Sequence, residues 1–325
     1  MDTERRAAEL KDETVELRRD FHMYPELGFE EYRTAEKVEE YLRGLGLEPE
    51  RIGETGVTAV LRGEAAGAAE GSVLLLRADI DALPIREENA VPYVSRNEGV
   101  MHACGHDAHT AMLLTAAKIL TEHRDQIAGT VKFVFQPNEE VAGAEILVEQ
   151  GVLENPKPDA AIGLHIWTPL PSGTVGLKAG PVMSSMDVFK MTVKGRGGHT
   201  GYPESAVDPV IAAADIIKNV QILQTREVNA MNPTIIMFGK MAAGTKNNII
   251  PDEAVLEGSM RYLYPGGPDT EEYPAGRLRR IAEAVAALHR CTVEVEIEQE
   301  NYAVVNDAGM IDFMREVVTG MSSVK

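Results

Sequence analysis

The stretch SVLLLRADIDALPI, residues 72–85, joins a strand pattern to two acids. Its first five residues form a short continuous apolar run, which is typical of a sheet strand buried on both faces. Asp79 and Asp81 come soon after this run. Two runs of similar composition occur further along the chain, GTVKFVF at residues 129–135 and DAAIGL at residues 159–164. We therefore predict three strands of one buried sheet.

Apolar residues at helical spacing separate the predicted strands. Residues 109–123 form one such stretch, and residues 143–150 form a shorter one that stops before Gly151, a residue type common at helix ends. Strands that alternate with helices indicate βαβ units and a mostly parallel sheet, so the predicted fold class is α/β. Ligands of such sheets bind beyond the carboxyl ends of the strands, where we expect a site.

Four motifs place metal-binding side chains at or near these positions. They are RADIDALPI (77–85), MHACGHDAHT (101–110), FQPNEE (135–140) and IGLHIW (162–167), and they contain Asp79, Asp81, Cys104, His106, Asp107, Glu139, Glu140 and His165. A lone cysteine is usually an apolar filler, and adjacent acids usually form a solvated surface. Because the motifs share one architectural position, we instead predict a divalent-metal hydrolase in which one spare carboxylate acts as base.

The segment Cys104-Gly105-His106 is predicted to be a loop that precedes the helix of residues 109–123. Gly105 allows a turn that directs the side chains on either side of it to one centre. Asp107 is the expected N-cap of the helix. The helix N-terminus would also favour the thiolate form of Cys104.

Composition limits the partners of this 325-residue chain. It carries 32 basic and 51 acidic residues, a formal net charge of −19, which argues against nucleic acid and anionic membrane surfaces. With only Cys104 and Cys291 there is no disulfide framework, so we expect a reducing, cytoplasmic compartment. The charged N-terminus lacks the apolar core of a signal peptide, and no stretch is long and apolar enough to span a membrane.

The second half of the chain shows a different order of elements. Strands are predicted at 188–193, 234–239, 254–263 and 292–297, and helices at 207–223 and 270–289. The order β-α-β-β-α-β is that of a ferredoxin-like, split βαβ unit. A further helix is predicted at 307–318. We expect a catalytic domain at 1–182, an inserted ferredoxin-like domain at 183–298 and a return to the catalytic domain at 299–325.

These motifs resemble those of the M20 metallopeptidase family, specifically its amidohydrolase branch. The resemblance runs from about Leu17 to the end of the chain. MHACGHDAHTAML and RADIDALPI are specific to that branch, whereas its Q-P-A-E-E motif is QPNEE here, at residues 136–140. The resemblance implies an aminoacylase-like enzyme that cleaves the amide bond of N-acyl or N-aryl-acyl amino acids. It also implies that the inserted domain acts as a lid and forms a homodimer.

The resemblance assigns roles to individual residues. It implies two divalent ions, Zn²⁺ or Mn²⁺ with Co²⁺ also possible, bound by Cys104, His106, Glu140 and His165, with a bridging thiolate. Glu139 is the implied general base, and Asp81 supports a ligand. Asp79 is the weaker candidate, because the Cys104 and His106 pair takes over the task of a histidine ligand found there in other branches.

Three residues of the inserted domain also match the family's motifs. His199 would reach the active site of the partner subunit. Asn248 would hold the carbonyl oxygen of the substrate, and Arg261 its carboxylate, roles for which an amide donor and a forked guanidinium are suited.

One family ligand has no counterpart in this sequence. Family members continue for several dozen residues further and supply a last histidine ligand, but no histidine follows His289 here. We therefore expect either an incomplete chain of lower activity or a replaced ligand.

Two alternatives remain open. A metal-binding or dimerising remnant without activity is one. The other is a cysteine hydrolase with Cys104 as nucleophile and His106 or His165 as base, which leaves the two adjacent glutamates unexplained.

Overall fold

The structure, a computed structural model, describes residues 2–141, 143–264 and 273–324. The chain divides into two compact units, one of Met1–Gly176 with Val317–Lys325 and the other of Leu177–Glu316. Each unit has a hydrophobic core of its own. Within the described ranges, every helix is too short or too polar to cross a membrane.

The first unit contains a five-stranded sheet between helices. Its elements are α1 (Thr3–Glu9), α2 (Lys11–Met23), α3 (Tyr32–Gly44), β1 (Glu50–Ile52), β2 (Gly56–Arg62), β3 (Val73–Asp79), α4 (His106–Glu122), β4 (Thr130–Gln136), α5 (Gly143–Glu149) and β5 (Ala160–Gly163), with 3-10 turns at Ala68–Glu70, Arg124–Gln126 and Glu139–Val141. The strand order is β1-β2-β4-β3-β5.

The α/β fold class is confirmed, but the sheet is mixed rather than mostly parallel. Strand β3 pairs in parallel with both β4 and β5, as the three apolar runs predict. Strands β1 and β2, which we did not predict, add antiparallel pairs on the other side of β4. Strands β1 and β2 run antiparallel to each other because the three-residue turn between them is so short that it can only reverse the chain.

The core explains why β4 is apolar throughout. Val131, Phe133 and Phe135 join the cluster formed with α2, α3 and α4. Val134 points to the other face, where it packs with Leu147 of α5. Alternate residues of a strand face opposite sides, so a strand covered on both sides is buried at every position.

Helix α4 begins earlier than predicted. It starts at His106 rather than residue 109, and its N-cap is Gly105 with φ 92°. The prediction that Asp107 caps the helix is wrong, because Asp107 lies within the first turn. Its carboxylate is buried and bonds to Arg18 and His22 instead. The early start means that His106 and His109 stand one turn apart on the helix.

The second unit contains the predicted split βαβ arrangement. Its elements are β6 (Gly180–Met183), β7 (Met186–Lys194), β8 (Gly198–His199), α6 (Pro209–Ile222), β9 (Thr234–Ala243), β10 (Ile249–Ile250), β11 (Glu253–Tyr262), α7 (Pro274–Leu288), β12 (Thr292–Asn301), β13 (Val304–Asn306) and α8 (Ala308–Thr319), with a 3-10 turn at Pro203–Ser205 and a π-helical turn at Leu223–Glu227. Helix α8 extends beyond the boundary of this unit at Glu316.

Four antiparallel strands form the main sheet of this unit in the order β12-β7-β11-β9. Helices α6 and α7 contribute to one core cluster with the strands, so both cover the same face. Helix α6 begins as expected, with Pro209 in its first turn and Asp208 accepting a hydrogen bond from the Val210 amide. The predicted start of the second helix at Thr270 lies outside the described residues.

Candidate metal centre

The predicted motifs meet at the carboxyl edge of the parallel strands. Asp79 is the last residue of β3, and Glu139 with Glu140 forms a 3-10 turn just after β4. His165 follows β5 by two residues. The apolar runs therefore position the acids and the histidine, because parallel neighbours end at the same edge of a sheet.

The loop before α4 brings Cys104 to the same place. Gly105 adopts φ 92°, a conformation that other residues rarely take. A Cβ atom at this position would lie 2.3 Å from Cδ1 of Ile166. The Sγ atom of Cys104 lies 3.3 Å from Nε2 of His165. The glycine thus permits both the turn and the close approach of the segment that carries His165.

Three overlapping groups of side chains present their ligand atoms within 4.8 Å of one another. They are Cys104, His106 and His165; His106, Glu139 and Glu140; and Asp79, His106 and His109. His106 belongs to all three groups. The four predicted metal ligands are therefore brought together, and the predicted base Glu139 lies beside them.

Asp81 fixes the orientation of His106. The Nδ1 atom of His106 lies 3.0 Å from Oδ1 of Asp81, which leaves Nε2 directed at the acids. Nε2 is buried without a hydrogen-bond partner, as is Oε1 of Glu140, and the two atoms are 3.9 Å apart. Buried polar atoms are seldom left unpaired, so these residues fit a cation held between them.

The charges around His106 favour positive charge at this point. Burial alone would lower the pKa of His106, but the hydrogen bond with Asp81, the neighbouring Cys104 sulfur and the charge of Asp79 outweigh it and raise the pKa to about 11. Burial raises the pKa of Glu140. The neighbouring His106 and the hydrogen bond with His165 lower the pKa of the Cys104 thiol, which favours the thiolate that metal ions bind.

Asp79 and His109 form a pair that the sequence analysis did not assign. The Nδ1 atom of His109 lies 2.6 Å from Oδ1 of Asp79, and its Nε2 atom accepts the Ile166 amide at 2.9 Å. Burial opposes ionisation of Asp79, but the bond from His109 and the charge of Arg77 hold its pKa below the usual range. Both ring nitrogens of His109 are thus engaged, and the ring positions the segment of His165. The sequence signal that could have indicated His109 is its i, i+3 spacing from His106, which places both residues on one face of a helix.

The remaining predicted residues lie in the second unit. His199 is in β8, which pairs with β10, and the Thr200 amide donates to the carbonyl oxygen of Asn248 at 3.3 Å. His199 and Asn248 are therefore neighbours on one two-stranded ribbon. Arg261 is on β11, where its Nη2 atom contacts Sδ of Met186 at 2.8 Å.

Comparison with known proteins identifies the class to which this site belongs. Residues 75–325 match the sequence model of Peptidase family M20/M25/M40. N-acetylcysteine deacetylase of Bacillus subtilis is 40% identical over 276 residues, which cover 84% of this chain and 70% of that protein. Thermostable carboxypeptidase 1 of Saccharolobus solfataricus is 35% identical over 320 residues, which cover 97% of this chain and 80% of that protein.

A solved structure agrees with these relatives. The YXEP protein of Bacillus subtilis, described as a dinuclear metal binding peptidase from the M20 family, matches with a TM-score of 0.81 and 35% identity. The match covers 95% of this chain and 79% of that chain. The chain therefore belongs to the M20 peptidase family. It is a metal-binding hydrolase that acts on amide bonds.

Proposed function

We propose that the chain hydrolyses the amide bond of N-acyl amino acids, releasing a carboxylic acid and a free amino acid. The unpartnered Nε2 atom of His106, facing three carboxylates beside a cysteine and a second histidine, carries this proposal. The names of the two relatives support the substrate class. N-acetylcysteine and the substrates of a carboxypeptidase share an amide whose nitrogen belongs to an amino acid with a free carboxylate.

Cys104, His106, Glu140 and His165 would hold two divalent ions. Zinc suits the thiolate and imidazole ligands, and manganese or cobalt would also suit the carboxylates. Bound there, such ions acidify water and polarise the amide carbonyl.

Glu139 would be the general base. Its Oε2 atom lies 3.7 Å from Nε2 of His106, and its side chain is 36% exposed, so it can reach both the centre and solvent. Glu139 takes a proton from the attacking water and delivers it to the leaving nitrogen. His199 and Asn248 would donate hydrogen bonds to the carbonyl oxygen, and Arg261 would pair with the substrate carboxylate.

A cysteine hydrolase is the second candidate. The Sγ atom of Cys104 lies 3.3 Å from Nε2 of His165, and the pKa of the thiol is lowered. A nucleophilic cysteine would show the same pair. The two mechanisms differ in their need for metal.

The test is turnover of a panel of N-acetyl, N-benzoyl and dipeptide substrates by protein treated with a chelator and then given Zn²⁺ or Mn²⁺. We expect turnover to vanish on chelation and to return with metal. Full turnover after chelation would favour the cysteine mechanism. Metal binding without turnover of any substrate would instead support a remnant that binds metal.

We propose that the second unit forms a homodimer. Strand β9 is an edge of its sheet and exposes Ile235, Met237 and Met241 on the described part of its surface. Such exposed apolar groups on an unpaired edge favour association. Sedimentation of the wild type and of Met237→Lys tests this, since the variant should be monomeric. A monomeric wild type would exclude the dimer.

If His199 completes the partner's site, mixing His199→Ala with Glu139→Gln should restore part of the activity through hybrid dimers. Absence of recovery from a mixture that does form hybrids would exclude the shared site.

We also propose a cytoplasmic location, which the two free thiols of Cys104 and Cys291 support. A small-molecule substrate, rather than nucleic acid or a membrane surface, fits the formal net charge of −19.

A further inference from the structure

A buried histidine links the N-terminal helices to the loop of the metal centre. His22 lies in the last turn of α2, and both of its ring nitrogens contact carboxylates. Its Nδ1 atom is 2.6 Å from Oδ2 of Asp107, and its Nε2 atom is 3.0 Å from Oε1 of Glu87. Arg18 bonds to the same Asp107 oxygen at 2.8 Å. The side chains of His22, Asp107 and Glu87 are 4%, 0% and 2% exposed, so water contributes little to their solvation.

The two carboxylates flank the ligand loop. Residues 84–105 contain neither a helix nor a strand, and this long segment leads from Glu87 to Cys104. Asp107 comes directly after His106, in the first turn of α4. Gly105, between the two ligands, adopts a left-handed conformation that other residues rarely take. The geometry of Cys104 and His106 therefore depends on what holds the loop on either side.

His22 and its neighbours supply that anchorage. Oε2 of Glu87 accepts the amide of Ser95 at 2.6 Å. The Arg96 amide donates to the carbonyl oxygen of Met23 at 2.8 Å, and the Asn97 side chain donates to that of Pro25 at 2.7 Å. The segment around His22–Pro25 thus fastens the loop at several points. His22 contacts both Glu87, near the start of the loop, and Asp107, in the helix turn at its end.

The hydrogen bond with Asp107 raises the pKa of His22, and Glu87 adds to the shift, while burial opposes it. A protonated imidazole donates from both nitrogens, in fixed directions on opposite sides of the ring.

We propose that His22 is a positioning residue for the metal centre, which sets the spacing of Cys104 and His106 by holding Glu87 and Asp107 together. The proposal rests on the proposed metal-dependent function. His22 lies before residues 75–325, which match the family, and it touches none of the predicted ligands. It therefore acts through the loop and not by coordination. Residues that orient metal ligands typically change metal affinity roughly 10–100-fold when they are removed.

The experiment compares His22→Gln with Lys118→Met. Glutamine keeps the size and one donating group but cannot reach two carboxylates on opposite sides. Lys118 pairs with Glu13 at 2.7 Å and so joins the same helices, α2 and α4, at the end remote from the ligand loop. Like His22→Gln, Lys118→Met removes a contact between α2 and α4, but it leaves the metal centre undisturbed. Co²⁺ affinity is measured by competition with a chelator, and the Co²⁺–thiolate absorption band reports the environment of Cys104.

We expect His22→Gln to bind Co²⁺ roughly 10–100-fold more weakly, with a shifted thiolate band. Lys118→Met should keep the Co²⁺ affinity and the thiolate band of the wild type, even if its melting temperature falls as far as that of His22→Gln. If His22→Gln keeps both as well, the inference is wrong.

Two further variants, Glu87→Gln and Cys104→Ser, distinguish the possible outcomes. Glu87→Gln still accepts from His22 but loses its charge, and a several-fold weaker affinity is expected. It replaces His22→Gln if that variant does not fold, and an unchanged affinity would then overturn the inference. Cys104→Ser should abolish the thiolate band. A wild type that binds no Co²⁺, or a band that survives Cys104→Ser, would contradict the proposed metal centre itself rather than the role of His22.

Discussion

The carboxylate of Asp81 orients the ring of His106 through its Nδ1 atom. Its Oδ1 atom lies 3.0 Å from Nδ1 of the ring, while its Oδ2 atom accepts the amide of Glu140 at 3.0 Å. One carboxylate thus orients a histidine on α4 and the backbone of the turn after β4. Because Nδ1 is taken, Nε2 is the nitrogen that remains for a metal ion.

Replacement of Asp81 by asparagine should weaken metal binding roughly 10–100-fold, since the amide carries no charge and can present a donor instead of an acceptor to Nδ1 of His106. Chelator competition with Zn²⁺ measures the effect. Asp159→Asn is the control, because Asp159 accepts the Val73 amide at 2.8 Å at the opposite end of β3. An equal loss of affinity in both variants would show a general effect on the sheet instead.

The adjacent glutamates should separate into a base and a ligand. Glu139→Gln is expected to lower kcat by at least roughly 100-fold while metal content stays unchanged, because an amide cannot accept the proton of water. Glu140→Gln is expected to lose metal, because its buried Oε1 atom has no other partner. Elemental analysis and turnover of an N-acetyl amino acid distinguish the two. Near-normal kcat in Glu139→Gln would refute the assignment of the base.

The position of these glutamates could be predicted from the sequence, for a physical reason. Short apolar runs that alternate with helices form parallel strands, and parallel strands end at one edge. Asp79, Glu139 and His165 meet there because each follows such a run. Strands β1 and β2 were not predicted. Their antiparallel direction could not be predicted from the apolar runs, because the direction of a strand depends on its connections and not on its own composition.

Pairs of buried polar side chains are harder to predict. His22 and Asp107 are 85 residues apart, and His109 and Asp79 are 30 apart. No local period relates such residues, and their partners are chosen by packing of the folded chain. Asp107 shows the consequence: from the sequence it resembles a helix cap, whereas Arg18 and His22 draw it into the interior.

Gly105→Ala should destabilise the protein more than the backbone conformation alone explains. A left-handed conformation costs a non-glycine residue about 1–2 kcal/mol. The added Cβ would also lie 2.3 Å from Ile166, whereas the one at Gly99, with φ 79°, would meet nothing within 4 Å. Gly99→Ala therefore isolates the conformational cost. Denaturant unfolding should show a larger loss for Gly105→Ala, accompanied by weaker metal binding. Equal losses would mean that the segment of Ile166 moves aside freely.

The contribution of His22 to stability should depend on pH in a definite direction. Its pKa is raised in the folded state by the bond with Asp107, above the value of about 6.5 that an unperturbed histidine has. The folded protein therefore holds the proton more tightly than the unfolded chain does. The stabilisation is complete below about pH 6.5 and is lost as pH rises through the folded pKa.

Urea unfolding of the wild type and of His22→Gln, in the presence of a chelator, measures this from pH 6 to 9. The difference in the free energy of unfolding should be largest at pH 6, about 1.5–3 kcal/mol for charged hydrogen bonds, and should shrink as pH rises. Lys118→Met provides the baseline, because it removes a contact between the same two helices without removing an imidazole, so its difference should stay level. A difference for His22→Gln that stays constant or grows with pH would mean that the ring is neutral in the folded protein.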